Sequence, residues 1–138
     1  MTTGNTQVDS NRVHPRNILR DHLSLLDYET FCIHNLRFKP APEHIQIAKS
    51  FDEYNFLLVM MARQSGKTQT VSSKTLHYAL TNANKKVLIF APAKDQAVEL
   101  LFGRIKNWIE GSEFLTEFVK DGTQGMKKLF SDYVEFKN

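Results

Sequence analysis

Apolar and polar residues along the chain alternate in two kinds of pattern. Residues 56–61 form an uninterrupted apolar run, FLLVMM, which is typical of a strand buried on both faces. Val87 to Phe90 form a second, shorter run of the same kind. Between them, apolar residues recur at three- and four-residue spacing after Lys67, which predicts a helix. A strand, helix and strand in this order predict a parallel sheet with a right-handed crossover, and therefore an α/β fold.

The rest of the pattern predicts mostly helices. Prolines mark the first turns of two of them, one from Pro15 to about Asp27 and one that begins at Pro42 and directs Ala48 and Phe51 to the core. A third runs from a cap at Asp95 to about Ile109 and is closed by Gly111, with Leu100, Leu101, Ile105 and Trp108 buried. The segment SEFLTEFV predicts a short helix, and residues 133–136 a late strand. We divide the chain into a disordered lead (1–14), a helical or irregular segment (15–40) and the main domain (41–138).

The first apolar run is followed by the sequence RQSGKT, which resembles the end of a phosphate-binding loop. The tripeptide alone is weak, because so short a motif also occurs by chance, but strand, loop and helix are predicted here in the required order. Backbone N–H groups would surround a phosphate, and the positive end of the helix dipole would point at it. Gly66 would allow close approach, Lys67 would reach the β- and γ-phosphates, and the Thr68 hydroxyl would bind Mg²⁺. Gln64 and Ser65 would supply further N–H donors.

The loop departs from the usual pattern at its start. Met61 stands where the pattern has glycine, and Arg63 lies within the loop. An arginine at this position could neutralise charge that develops during phosphoryl transfer. The alternative is a solvated arginine at the end of a strand.

The combination of RQSGKT and its neighbouring segments resembles the large terminase subunit, the motor ATPase of tailed-phage DNA packaging. Its variant Walker A motif also lacks the opening glycine and carries an arginine at the place of Arg63. The segment FKPAPEHIQIA is similar to the region upstream of that motif, where a glutamine, here Gln46, reads the adenine edge. The segments KVLIFAPAKDQAVELLFGRIKNWIE and LFSDYVEFKN are similar to later parts of the same domain. From the residues alone, Gln46 could equally be a solvent-facing helix residue.

The resemblance implies a fold, a set of ligands and a set of partners. The fold would be an incomplete P-loop NTPase core of three layers, preceded by a short helical segment. The ligands would be ATP and Mg²⁺, with Arg63 and Lys67 in catalytic roles. The partners of the whole protein would be double-stranded phage DNA, the portal protein and the small terminase subunit, in the cytoplasm of the host during phage assembly.

The sequence also lacks features that such an ATPase requires. No apolar run ends in the Asp-Glu pair that binds Mg²⁺ and activates water. Nothing encodes the family's nuclease domain. We therefore expect an N-terminal fragment that does not hydrolyse ATP by itself. Two other interpretations stay open, the first segment of a helicase-like ATPase and a non-catalytic nucleotide-binding or assembly module.

Composition restricts the other classes. The chain has 138 residues, 41% of them hydrophobic, which suits one domain with a modest core. The net charge of +3 is compatible with a polyanionic partner but does not by itself indicate a DNA-binding patch, and the lysines at 120, 127 and 128 suit a solvated loop. A single cysteine excludes an internal disulfide, and Cys32 with His34 is too small a set for zinc. No apolar run approaches the length of a membrane span.

Overall fold

A computed structural model describes residues 15–92, 97–119 and 133–137 of the chain. These residues form six α-helices and one π-helical segment. The α-helices are α1 (Pro15–Ser24), α2 (Tyr28–His34), α3 (Pro42–Glu53), α4 (Lys67–Thr81), α5 (Gly103–Glu110) and α6 (Glu113–Glu117). The π-helical segment, Ala97–Phe102, leads directly into α5.

Helix α4 is the centre of the described structure. It packs against α2, α3, the π-helical segment and α5. Its Leu76 and Leu80 enter a core to which α2 contributes Phe31, α5 contributes Ile109 and α6 contributes Leu115. The core therefore lies between α4 and the helices that pack around it.

The buried surface of α4 is unusually polar. Ser73 hydrogen-bonds to the Tyr28 hydroxyl of α2 at 2.7 Å, and the Lys74 ammonium contacts the Asp52 carboxylate of α3 at 2.6 Å. The His77 Nε2–H donates to the Leu25 carbonyl at 2.8 Å. Because each contact leads to a different part of the chain, these side chains fix the orientation of α4 among its neighbours.

The predicted parallel sheet is wrong for this structure. Neither residues 56–61 nor Val87 to Phe90 form a strand, and the described part of the chain contains only an isolated antiparallel bridge, between Val119 and Phe136. The two runs make no backbone hydrogen bond to other described residues. A strand exists only when a neighbouring strand accepts and donates hydrogen bonds along its length, and the described residues supply no such partner to either run. The described residues therefore do not form an α/β core, nor the three-layer P-loop core that the resemblance implies.

The two apolar runs are also exposed rather than buried. Phe56 is 95% exposed and Phe90 is 85% exposed, as are Leu58 and Met60, whereas Val59 is half-buried. This alternation has the two-residue period of an extended chain, with one face partly covered and the other in solvent. The sequence prediction assumed burial on both faces, which the structure does not provide.

The helix predictions are confirmed with corrections to their ends and faces. α1 ends at Ser24, before the predicted Asp27, and Gly111 caps α5 as predicted. Phe51 of α3 and Leu100 are exposed, contrary to prediction. Trp108 is only half-buried and stacks on Phe38 with ring centroids 5.8 Å apart.

Several sequence predictions lie outside the described residues. These are the disordered lead 1–14, the cap at Asp95, and the lysines at 120, 127 and 128. Among the helices that the structure describes, none has the length and apolar character needed to cross a membrane.

Candidate phosphate-binding loop

The phosphate loop, residues 63–68, connects the first apolar run to α4. Gln64 and Gly66 both adopt left-handed backbone conformations, with φ of 60° and 80°. Such a conformation is uncommon for a residue with a Cβ atom, and holding it costs on the order of 1 kcal/mol. The alternation of left-handed residues curls the chain, and curled segments of this type form concave groups of N–H donors that bind anions.

Several backbone donors of this loop have no acceptor within the described chain. The first hydrogen bond that closes α4 runs from the Thr70 N–H to the Gly66 carbonyl at 2.9 Å. Gly66 is the N-cap and offers no side-chain acceptor, so the N–H groups of Lys67, Thr68 and Gln69 are not hydrogen-bonded to described residues. A 15-residue helix adds the positive end of its dipole at the same point. The arrangement suits an anion.

Two cationic side chains accompany these donors. Arg63 and Lys67 are both exposed, and neither forms an ion pair with a carboxylate of the described residues. Thr68 lies in the first turn of α4 and is half-buried. The Ser65 hydroxyl instead donates to the Ala62 carbonyl at 2.7 Å, which closes the turn internally. The predicted residues from Arg63 to Thr68 are thus brought together at one helix end.

One residue that the sequence patterns did not identify contacts the loop on the side that faces α3. His44, in the first turn of α3, donates from Nε2 to the Ser65 carbonyl at 2.7 Å. Its ring lies so close to Gly66 that a Cβ there would be 2.8 Å from the His44 Cε1 atom. Glycine is therefore favoured at position 66 by its φ, and a side chain there would also displace the His44 ring. No local pattern marks His44, because its partner lies 21 residues away in the sequence.

Gln46, the predicted adenine reader, is not placed in the loop. It lies on α3 and is exposed, and its backbone carbonyl accepts from the Ser50 hydroxyl at 3.0 Å. Residues two apart on a helix are separated by about 200° around its axis. Since His44 faces the loop, Gln46 faces a different side of α3.

The residues around the loop fit the phosphates of a nucleotide better than they fit a metal site of their own. The described residues contain no group of three or more His, Cys, Asp or Glu side chains arranged to hold a metal ion. Thr68 could supply one hydroxyl ligand to Mg²⁺, and the remaining ligands would come from phosphate oxygens and water.

A second polar cluster, around Tyr28, is structural. Burial raises the pKa of the Cys32 thiol to about 11 and raises the pKa of Tyr28 well above its usual range. Both groups are therefore protonated at neutral pH, which makes Cys32 a poor nucleophile. Burial lowers the pKa of His77, whose Nδ1 has no hydrogen-bond partner among the described residues. The cluster therefore stabilises the packing of α2 against α4.

Comparisons of the chain with protein-family models, with curated proteins and with solved structures find no match.

Proposed function

We propose that the chain binds the triphosphate of ATP, as its Mg²⁺ complex, at the phosphate loop. One observation carries the proposal: N–H groups of the loop and of the first turn of α4 have no acceptor among the described residues, and the exposed Arg63 and Lys67 side chains lie at the same helix end. Backbone donors at a helix N-terminus bind phosphate through hydrogen bonds and through the helix dipole. The absence of a Cβ on Gly66 leaves room for His44 behind the loop.

Each side chain of the loop has a distinct role in this proposal. The Lys67 ammonium would neutralise the β- and γ-phosphates, and the Thr68 hydroxyl would bind Mg²⁺. Arg63 would contact the terminal phosphate, where a cation is most useful when charge redistributes in the transition state. Gln46 would act on the adenine only if the base reached around α3.

The biological setting that we propose is the ATP-binding front part of a large terminase subunit. This step rests on the residues of RQSGKT, the upstream Gln46 and the order of the later segments. The whole protein would then act on double-stranded phage DNA with the portal protein and the small terminase subunit, in the host cytoplasm. A helicase-like ATPase segment is the second candidate, because it too combines an upstream glutamine with a phosphate loop, although Met61 and Arg63 disfavour it.

The binding proposal is tested by replacing Lys67. Lys67→Ala removes the side-chain cation on the phosphates and should weaken Mg²⁺–ATP binding at least tenfold, or about 1.4 kcal/mol. Lys85→Ala is the matched control, because Lys85 is an exposed lysine just beyond the other end of α4. Helix α4 is about 22 Å long at the usual rise per residue, so the control substitution lies past the far end of the helix from the loop.

Isothermal titration calorimetry measures the affinity of the three proteins for Mg²⁺–ATP. Circular dichroism verifies that their helix content is the same. We expect the Lys85→Ala protein to bind like the unsubstituted chain. Equal affinities for the unsubstituted and Lys67→Ala proteins would contradict the site assignment.

A further inference from the structure

The contact between His44 and the phosphate loop has a defined direction. A backbone carbonyl only accepts hydrogen bonds, so the His44 Nε2 atom must carry the proton that it shares with the Ser65 oxygen at 2.7 Å. The imidazole also lies against Gly66, at the place a side chain would take. His44 thus touches two successive loop residues from the side of α3.

This hydrogen bond sets the direction of a neighbouring donor. The Ser65 carbonyl and the Gly66 N–H belong to one planar trans peptide and point in opposite directions. Since the carbonyl points toward His44, the Gly66 N–H points away from α3. That N–H forms no hydrogen bond with the described chain. It is therefore available to an anion on the open side of the loop.

Among the described residues, the hydrogen bond from His44 is the one that holds this peptide group. Rotation about the bonds on either side of it would turn the carbonyl toward the open side, where it would repel a phosphate. Glycine allows such rotation because it populates positive and negative φ with similar ease. The hydrogen bond from His44 opposes the rotation before any ligand binds, and a donor that is oriented in advance binds at a lower cost in entropy.

We propose that His44 is a positioning residue of the phosphate loop, which holds the Ser65–Gly66 peptide with its N–H directed at the bound phosphate. This inference rests on the proposed triphosphate binding and adds a residue that the resemblance does not supply. His44 acts through the backbone and not on the base. Its effect should therefore be the same for ATP and for inorganic tripolyphosphate.

Two substitutions separate the loss of the hydrogen-bond donor from the loss of side-chain volume. His44→Leu keeps an apolar side chain of moderate size but removes the donor, and His44→Gln restores a donor of similar reach. We expect His44→Leu to weaken both Mg²⁺–ATP and Mg²⁺–tripolyphosphate about three- to tenfold, the value of one hydrogen bond. His44→Gln should recover most of the affinity. Thermal unfolding of each protein verifies that the folded state is compared.

The outcomes distinguish this inference from the binding proposal. Absence of tripolyphosphate and ATP binding by the unsubstituted chain would overturn both. Equal affinity of the unsubstituted and His44→Leu proteins, or a loss confined to ATP, would overturn the positioning role alone. If His44→Leu does not fold, nitrogen NMR of the unsubstituted chain decides, since the proposal requires a proton on Nε2 and a dominant Nδ1–H tautomer would refute it.

Discussion

The ion pair between Lys74 and Asp52 yields a prediction about stability that depends on which partner is removed. Lys74 is 4% exposed, whereas Asp52 is 56% exposed, and their charged atoms are 2.6 Å apart. The Lys74 ammonium also lies 5.8 Å from the centre of the Tyr28 ring. The pair thus joins a buried cation on α4 to a carboxylate on α3 that remains in contact with water.

Removal of Asp52 should cost more than removal of Lys74. Asp52→Ala leaves an ammonium group buried without its carboxylate, and breaking a fully buried pair costs about 3–5 kcal/mol. Because Asp52 is in contact with water, we expect Asp52→Ala to lower the free energy of unfolding by a smaller amount, about 2 kcal/mol. Lys74→Met keeps the packing of the alkyl chain and lets Asp52 be hydrated, so it should cost less than about 1 kcal/mol, chiefly the lost contact with Tyr28.

Urea unfolding followed by circular dichroism measures these differences, provided that the slope of free energy against urea is unchanged. The exposed pair of Lys106 and Glu110, with charged atoms 3.9 Å apart, supplies the control. Glu110→Ala should cost less than about 0.5 kcal/mol. The reasoning fails if Lys74→Met destabilises the protein more than Asp52→Ala, or if Asp52→Ala is no more harmful than Glu110→Ala.

Two further predictions concern pH and solubility. Because burial lowers the pKa of His77 below 6.5, the unfolded chain binds more protons just below that pH, and stability is lost as pH falls from 6.5 toward the folded-state pKa. His77→Gln keeps a donor for the Leu25 carbonyl but does not titrate, so its stability deficit relative to the unsubstituted chain should shrink between pH 7 and pH 5 in urea unfolding; a constant deficit contradicts the assignment. Phe56 and Phe90 expose most of their rings, so replacing both with serine should reduce aggregation in light scattering while changing unfolding free energy by less than about 1 kcal/mol. Replacement of the half-buried Trp108 by serine is the contrasting control, since it should destabilise the fold; a large loss of stability from the phenylalanine changes would mean that these rings are packed.

The parts of the fold that were predicted correctly have local signals. Helix α4 begins directly after Gly66, and Gly111 caps α5, because apolar spacing and capping residues act within a few positions. The position of the loop at residues 63–68 was predictable for the same reason, since it occupies consecutive residues at a helix start. The predicted sheet required two runs about thirty residues apart to pair with neighbours, and a run of apolar residues does not contain that information.

The errors in the core have a related cause. Sequence patterns assign buried positions by apolar character, so Ser73 and His77 were not recognised as part of the buried surface of α4. Each is buried because a specific partner from another element satisfies it, and such partners are invisible to periodicity. His44 escaped notice in the same way, since its role depends on a carbonyl that only the folded chain brings near.

The wrong sheet prediction does not remove the basis for phosphate binding, because the two have separate structural causes. The loop requires left-handed backbone at Gln64 and Gly66, the start of α4, and the support of His44 on α3. Each of these is present in the helical structure, and none uses a ladder hydrogen bond from the apolar run that precedes the loop. The packing of α3 on α4 therefore orients the N–H groups of the loop. If the proposed phosphate site is correct, affinity should depend on the interface between these two helices.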